Sequence, residues 1–414
     1  MAATVVLVVT AGPLRGRRFE FAGHDTFLFG RAADCHGRLA ADDVSASRHH
    51  FLLEVNPPQA RLRDLGSLNG TRVNGVRHGG RARDESPQQA ALGKGAEVDL
   101  RHGDEVRVGA TVIAVAIAGA PAPPVPVTEE PAEDSEPLLP PGATVGRWVV
   151  ERPLGRGAMG VVYLARGGPA DAAPVALKLM RAEASVDEGA RDMFLREIEV
   201  TRALRHPNIV GLQDVGRHGR QFYFALDYCA GGSVEALRHD CGGSLAAEAV
   251  LRIANDAVAG LAYAHAHGFV HRDIKPENVL LSEQGAARLA DFGLAKSFEQ
   301  AGLSGLTATG AIGGTLAFMP REQLTAFREV RPVSDVWSMA ATLYYLLTGC
   351  HVRDGSPEED PLAVILRGGI VPLRERDPEV PAALAAVLDR ALADDPATRY
   401  PHGGELLSAL AAVR

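Results

Sequence analysis

Lysine is nearly missing from this chain: of 43 basic residues only Lys94, Lys178, Lys275 and Lys296 are lysine. A bias of this kind is what a GC-rich genome imposes, and it carries no function by itself. It does make the retained lysines informative, because a compact ammonium on a flexible stem is not interchangeable with a guanidinium. Cysteine is scarce too. Cys35, Cys229, Cys241 and Cys350 are scattered, with no CxxC pair and no histidine at metal-ligand spacing. That argues against a disulfide framework or zinc site and for reduced thiols in a cytoplasmic protein. No run of 18 apolar residues occurs; Thr111 to Ala118 is strand-length and flows into prolines, so no membrane span is expected. The N-terminus has no basic leader before its apolar run, which suits a first strand better than a signal peptide. A net charge of −8 gives no reason to expect a nucleic-acid partner.

What is present suffices for two domains: 414 residues, 46% of them hydrophobic. Between Gly119 and Gly142 the composition shifts to eight prolines and five acids with no lysine or arginine. Such a stretch is extended and self-repelling, a semi-stiff linker. The expected organisation is a domain over 1–118, a linker over 119–146 and a second domain over 147–414. Short apolar runs (Val5 to Val9, Phe51 to Val55, Val112 to Ile117) with Asn69-Gly70 and Asn74-Gly75 turns predict an all-β sandwich for the first. The second opens with strands (Trp148 to Arg152, Val161 to Ala165, Val175 to Met180) and becomes helical. Val250 to His265 and Val336 to Leu347 read as buried helices, giving a small sheet followed by a larger helical lobe.

The string Leu154-Gly155-Arg156-Gly157-Ala158-Met159-Gly160-Val161-Val162 contains GxGxxG. In a dinucleotide-binding fold the third glycine opens a helix; here Gly160 runs into Val-Val-Tyr-Leu, so the glycines sit at a strand–strand turn able to close over phosphates. Val175-Ala176-Leu177-Lys178 matches the strand lysine that holds α- and β-phosphates. A surface lysine ending a strand is the bland alternative. Against it stands Glu197, on an inward helical face with Phe194, Ile198 and Thr201, where a carboxylate needs a cation such as Lys178. Glu199 competes for that role, but its register points away from Phe194 and Ile198.

His271 to Leu281, HRDIKPENVLL, resembles the catalytic loop of the eukaryotic-like protein kinases, in their bacterial serine/threonine form. The resemblance implies a two-lobed α+β kinase fold using ATP and Mg²⁺, with Mn²⁺ as an alternative. It makes Asp273 the catalytic base, Lys275 the serine/threonine-class lysine facing the γ-phosphate, and Asn278 and Asp291 the metal ligands. Lys178 and Glu197 become the ATP-site ion pair. Arg272 precedes the base, an arrangement that often goes with a phosphorylated activation loop. The loop here offers Ser297, Ser304, Thr307 and Thr309, and LTATGAIGGT resembles bacterial kinases that autophosphorylate at two threonines spaced like Thr307 and Thr309, the latter six residues before Thr315. The family's Ala-Pro-Glu appears as Pro320-Arg321-Glu322, so only the glutamate is kept. Glu322 with Arg399 would anchor the substrate-binding segment, and Arg321 adds a charge near the peptide-binding surface. Asp335 and Trp337 resemble the buried helix start that braces the catalytic loop. His265 and His271 are expected to be core histidines.

Gly30-Arg31, Ser47-Arg48-His49-His50 and Ser67-Leu68-Asn69-Gly70-Thr71 resemble the skeleton of a forkhead-associated (FHA) domain over about residues 4 to 118. The resemblance implies phosphothreonine binding: Arg31 and Ser47 on the phosphate with Arg48 assisting, Asn69 on the ligand backbone, and His50 bracing the loops from inside. The implied partners are Ser/Thr-bearing protein substrates and a phosphothreonine protein or the chain's own phosphorylated segment (Thr307, Thr309 or Thr128). The family alone implies a transient homodimer for autophosphorylation in trans. Two other classes stay open at this point: a pseudokinase scaffold, and a small-molecule phosphotransferase of related fold.

Overall fold

The computed structural model describes residues 3–40, 43–81, 97–119, 138–157, 160–168, 173–180, 202, 204–219, 221–292, 316–325, 330–355, 359 and 361–413. The residues fall into two compact units: one comprises 1–125, 304–334 and 351–372, the other 126–303, 335–350 and 373–414.

The first unit is built on a β-sandwich. One sheet runs in the order β2 (Arg18–Phe21), β1 (Thr4–Ala11), β11 (Thr111–Ala118), β10 (Glu105–Val108), β7 (Thr71–Val73), β8 (Val76–His78). The other runs β4 (Gly37–Arg38), β3 (Asp25–Gly30), β5 (Phe51–Asn56), β6 (Gln59–Asp64), β9 (Glu97–Asp99). Only β3 and β4 pair in parallel among these strands. Strand alternation builds the core: Val5, Leu7 and Val9 face inward from β1, and Phe51, Leu53 and Val55 from β5. Each such side chain contributes about 1.5–3 kcal/mol on leaving water. The turn chemistry is local. Asn74 (φ 51°) and Gly75 (φ 83°) are both left-handed between the paired Val73 and Val76, a two-residue hairpin that Asn-Gly favours. Beyond the sandwich, the unit contains helices α3 (Arg321–Thr325) and α5 (Pro361–Arg367).

The second unit holds a six-stranded antiparallel sheet in the order β12 (Thr144–Val145), β13 (Trp148–Gly157), β14 (Gly160–Gly167), β15 (Val175–Met180), β17 (Gln221–Asp227), β16 (Leu212–His218). Its core is Trp148, Val150, Tyr163, Ala165, Leu177 and Ala225 with their neighbours. The helical part contains α1 (Val234–Asp240), α2 (Ala247–Ala266), the greater part of α4 (Pro332–Thr348), α6 (Leu373–Arg376), α7 (Ala382–Ala391) and α8 (Gly403–Ala411). Helix α2 buries Val250, Ile253, Ala254, Ala257, Val258, Leu261 and Ala264, a stripe at helical spacing. From Val336 to Leu347, α4 is buried almost all round, as its apolar sequence requires. Both helices lie where the sequence predicts them. A short hairpin, β18 (Val279–Leu281) with β19 (Ala287–Leu289), carries the segment that leads to the candidate site. Among the described residues, no helix is long and apolar enough to cross a membrane.

Candidate functional site

In the second unit the glycine string lies at a strand–strand turn, with Gly157 opposite Gly160 where β13 meets β14. Leu154, Gly155, Arg156 and Gly157 are exposed, Val161 and Val162 half-buried, and Ala158 and Met159 lie outside the described residues. Gly160 is obligatory on steric grounds: at φ 150° an added Cβ would sit 2.1 Å from the Leu179 carbonyl oxygen. One strand over, Lys178 pairs across the sheet with Val162 and Phe224, which fixes its stem. Its ammonium, in a side chain only 11% exposed, contacts Asp291 Oδ2 at 2.7 Å. Glu197, the partner expected from the sequence, lies outside the described residues.

The catalytic-loop string is held by hydrogen bonds that begin with Asp335, itself 1% exposed. Its Oδ2 accepts from the His271 N–H at 2.6 Å, and its Oδ1 from the Arg272 N–H at 2.8 Å. His265 accepts the Gly403 N–H at Nδ1, so its Nε2–H is the donor to Asp335 Oδ2 at 2.9 Å. Buried carboxylates need such donors. Arg272 takes φ 70°, a conformation uncommon for a side-chain-bearing residue and held here by that carboxylate. His271 accepts from the Asp273 N–H at Nδ1 and donates from Nε2 to the Ala290 carbonyl at 2.8 Å. Both histidines thus have hydrogen-bond partners inside the fold. Trp337 donates its indole N–H to the Leu392 carbonyl at 3.0 Å.

Asp273 Oδ2 takes the Lys275 ammonium at 3.0 Å and the Asn278 amide Nδ2 at 3.0 Å. Among the described residues Oδ1 takes no donor, which makes it the available acceptor, on a side chain 20% exposed. Asn278 also donates from Nδ2 to the Asp273 carbonyl at 2.8 Å, which leaves its Oδ1 as a ligand oxygen. The Ala290 N–H donates to the Asn278 carbonyl at 2.9 Å, tying this loop to the chain entering Asp291. Asp291 is left-handed at φ 60°. The structure thus links Asp273, Lys275 and Asn278 in one cluster and Lys178 with Asp291 in an ion pair. The Asp291 carboxylate and the Asn278 amide oxygen suit a hard divalent cation, and the Lys178 ammonium suits phosphate.

Glu322 accepts from the Ser334 hydroxyl at 3.0 Å. Arg399, 3% exposed, donates to the carbonyls of Ala393 and Asp394. Arg321, the departure from Ala-Pro-Glu, donates to the Ile365 carbonyl at 3.3 Å. Thr128, Ser297, Ser304, Thr307, Thr309 and Thr315 lie outside the described residues.

In the sandwich, Arg31, Ser47, Arg48 and Asn69 sit on loops joined by hydrogen bonds. Arg31 donates from Nε to the Ala46 carbonyl at 2.6 Å; Ser47 Oγ accepts the Leu68 N–H at 3.1 Å; Asn69 Nδ2 donates to the Ser45 carbonyl at 2.9 Å. Gly30 is forced by closeness, since a Cβ there would lie 2.0 Å from the Arg48 carbonyl oxygen. His50, fully buried, accepts the Ser47 N–H at Nδ1 (2.9 Å) and so presents Nε2–H to the Gly70 carbonyl (3.4 Å). Burial holds its pKa below the ordinary imidazole value, against the opposing pull of Asp64.

Sequence reading misses Asp64. This fully buried carboxylate accepts from Ser67 N–H (2.8 Å), Ser67 hydroxyl (2.7 Å), Thr71 hydroxyl (2.9 Å) and Gly80 N–H (3.2 Å), and so shapes the turn that displays Asn69. An Asp three residues before Ser67 at a strand end is the available signal, an Asx-type turn. Also unforeseen, Asp34, Cys35 and His49 bring ligand atoms within 4.8 Å of one another. The Cys35 thiol, pushed up to about 12 by burial and then by Asp34, stays protonated and donates to the Arg48 carbonyl.

A family model described as "Protein kinase domain" matches residues 148–404. The chain belongs to the protein kinase family. A second model, "FHA domain", matches residues 27–109, so the kinase fold follows an FHA sandwich. Among curated relatives, "Serine/threonine-protein kinase PknJ" of Mycobacterium tuberculosis is 35% identical over 280 residues, 66% of this chain and 46% of its own. "Probable serine/threonine-protein kinase PknB" of Lactococcus lactis is 31% identical, covering 64% and 42%. "Tyrosine-protein kinase MasK" of Myxococcus xanthus is 34% identical, covering 66% and 43%. The chain spans under half the length of these relatives. Among solved structures, the Mycobacterium tuberculosis PknI kinase domain is 30% identical with a TM-score of 0.52, covering 67% of this chain and all of that one. A protein kinase domain uses ATP and a divalent metal; the Asn278 and Asp291 oxygens have the chemistry to suit such a cation, and the Lys178 ammonium the phosphates.

Proposed function

We propose that this protein is an ATP-dependent serine/threonine kinase whose FHA domain binds phosphothreonine. The observation that carries the reading is the Asp273 carboxylate, fixed at Oδ2 by Lys275 and Asn278 with Oδ1 left available among the described residues. Mg-ATP, or its Mn²⁺ form, supplies the transferable phosphoryl group with its charge partly neutralised. Asn278 Oδ1 and Asp291 would hold the metal, while Lys178 and the glycine turn around Gly160 would hold phosphates. The substrate hydroxyl would give its proton to Asp273 Oδ1 as its oxygen attacks the γ-phosphorus, while the bond from that phosphorus to the β–γ bridging oxygen breaks and ADP leaves. Lys275 keeps Asp273 oriented and places positive charge where phosphate charge moves. Lysine at that position, in a chain with four lysines, supports the serine/threonine class over tyrosine.

On the FHA side, the Arg31 guanidinium and the Ser47 hydroxyl match phosphate oxygens, and Asn69 stands exposed to hold a peptide backbone. The ligand is a phosphorylated partner or the chain's own Thr307, Thr309 or Thr128, with activation-loop autophosphorylation by a transient homodimer as its source. Free thiols at Cys35 and Cys229 suit the cytoplasm. Incubation of the full chain with Mg-ATP, followed by mass spectrometric mapping, should give phosphoserine or phosphothreonine that Asp273→Asn and Asp291→Asn abolish. No modified serine or threonine would sink the kinase reading and favour a scaffold. Phosphothreonine peptides that fail to bind the full chain would sink the FHA half.

A further inference from the structure

Strand alternation sends Phe27, Phe29, Phe51 and Leu53 into the sandwich core and leaves Thr26, Leu28, Leu52 and Glu54 on the outward face of the same sheet. Further along that face the residues are charged and paired, Arg61 with Asp99 at 2.7 Å and Arg63 with Glu97 at 3.3 Å. Leu28 and Leu52, directly opposite each other across β3 and β5, break this pattern, yet they are only 0% and 6% exposed. They are covered from within the same compact unit: Leu28, Leu52 and Leu65 form one apolar cluster with Leu324 of α3 and Ile365 and Leu366 of α5. Polar contacts flank it. The Thr26 hydroxyl donates to the Leu324 carbonyl at 3.0 Å. Arg367, at the end of α5, donates from Nη2 to the Leu65 carbonyl at 3.2 Å and the His49 carbonyl at 3.4 Å.

Those two carbonyls belong to different loops of the phospho-ligand site. His49 lies two residues after Ser47, and Leu65 four residues before Asn69. We infer that the outward β3–β5 face is an intramolecular docking surface for α3 and α5 of the kinase domain, with Arg367 as a positioning residue that ties the two ligand loops together. Docking and occupancy of the phospho-ligand site are then linked, because a group that fixes both loops favours whatever those loops bind. The linkage rests on the phosphothreonine reading; the docking does not. Arg321, which replaces a proline of the family's motif, belongs to the same arrangement through the Ile365 carbonyl.

Hydrogen exchange of the full chain tests the docking. Leu52→Asp places a charge on the outward face without touching the sandwich core. It should raise exchange in residues 362–367 by about ten- to a hundredfold while residues 53–62 keep their protection. Should Leu52→Asp unfold the sandwich, Arg367→Ala decides instead, with faster exchange expected in 47–50 and 65–69 alone. Unchanged exchange at these segments overturns the docking. Binding of a degenerate peptide with a fixed phosphothreonine tests the linkage: Arg367→Ala should weaken it about tenfold. Equal binding by the unaltered and Arg367→Ala chains overturns the linkage. No binding by the unaltered chain overturns the phosphothreonine reading and the linkage together, while exchange still decides the docking.

Discussion

Asp335→Asn is the most informative single change in the kinase unit. Asp335 Oδ2 accepts from His271 N–H and His265 Nε2–H, and Oδ1 from Arg272 N–H. Asparagine keeps one oxygen, best placed where it serves the two histidine donors, and then turns its NH₂ toward the Arg272 N–H. A hydrogen bond to a charged group, worth about 1.5–3 kcal/mol, is lost, and the opposed buried donors cost a further ~1–3 kcal/mol. Even the lower end of the sum, about 2.5 kcal/mol, is nearly a hundredfold in an equilibrium. The cost concentrates at Arg272, whose φ of 70° needs that carboxylate. Exchange of the 271–273 amides should therefore rise by roughly a hundredfold and phosphotransfer should fall by a comparable factor. Trp337, within the first turns of the buried helix, serves as a fluorescence control for global folding. Unaltered exchange at 271–273 together with unaltered turnover in the Asp335→Asn chain would refute the bracing role.

Asp64→Ala should destabilise the sandwich by roughly 2–5 kcal/mol, because four donors lose a buried acceptor, and should abolish phosphopeptide binding; thermal unfolding and peptide titration check both. Gly160→Ala, whose Cβ would lie 2.1 Å from the Leu179 carbonyl oxygen, should eliminate measurable nucleotide binding by calorimetry while the sandwich still unfolds as before. His50 gives a pH signature. Its native pKa is depressed, so below about 6.5 the unfolded chain takes up the proton more readily than the folded one. The stability it contributes is fully present above that value and is lost as pH falls toward the depressed pKa. Protonation at Nδ1 would also break the Ser47 N–H contact. The melting temperature of the sandwich should fall between pH 7.5 and 5.5, and His50→Gln should flatten that slope.

Local patterns carried most of the fold into view. Alternation over Val5 to Val9 and Phe51 to Val55 gave the sandwich, the Asn74-Gly75 turn follows from residue chemistry alone, and the β-branched run after Gly160 placed the glycines between strands. The Asp273, Lys275 and Asn278 cluster was legible because it lies within six residues of chain. What stayed hidden depends on chain segments far apart in sequence. The ion pair of Lys178 with Asp291 spans 113 positions, and no periodicity announces it. Asp64 goes unnoticed in sequence because its role depends on the fold, which brings Ser67, Thr71 and Gly80 around it. Leu28 and Leu52 are apolar like the residues beside them in the chain. Only the register of β3 against β5 reveals that they face away from the sandwich core.

The two aspartates of the kinase site each keep a lysine, Asp273 with Lys275 and Asp291 with Lys178. These four side chains sum to zero charge, so by themselves they give no reason to hold either a bare cation or a bare polyphosphate tightly. A divalent cation arriving alone would face two ammonium groups, and free ATP would face two carboxylates. The metal–nucleotide complex would satisfy both, its positive part suiting the carboxylates and its phosphates the ammoniums. Charge balance among these four side chains would thus act as a selectivity device, favouring the assembled ligand over either of its parts.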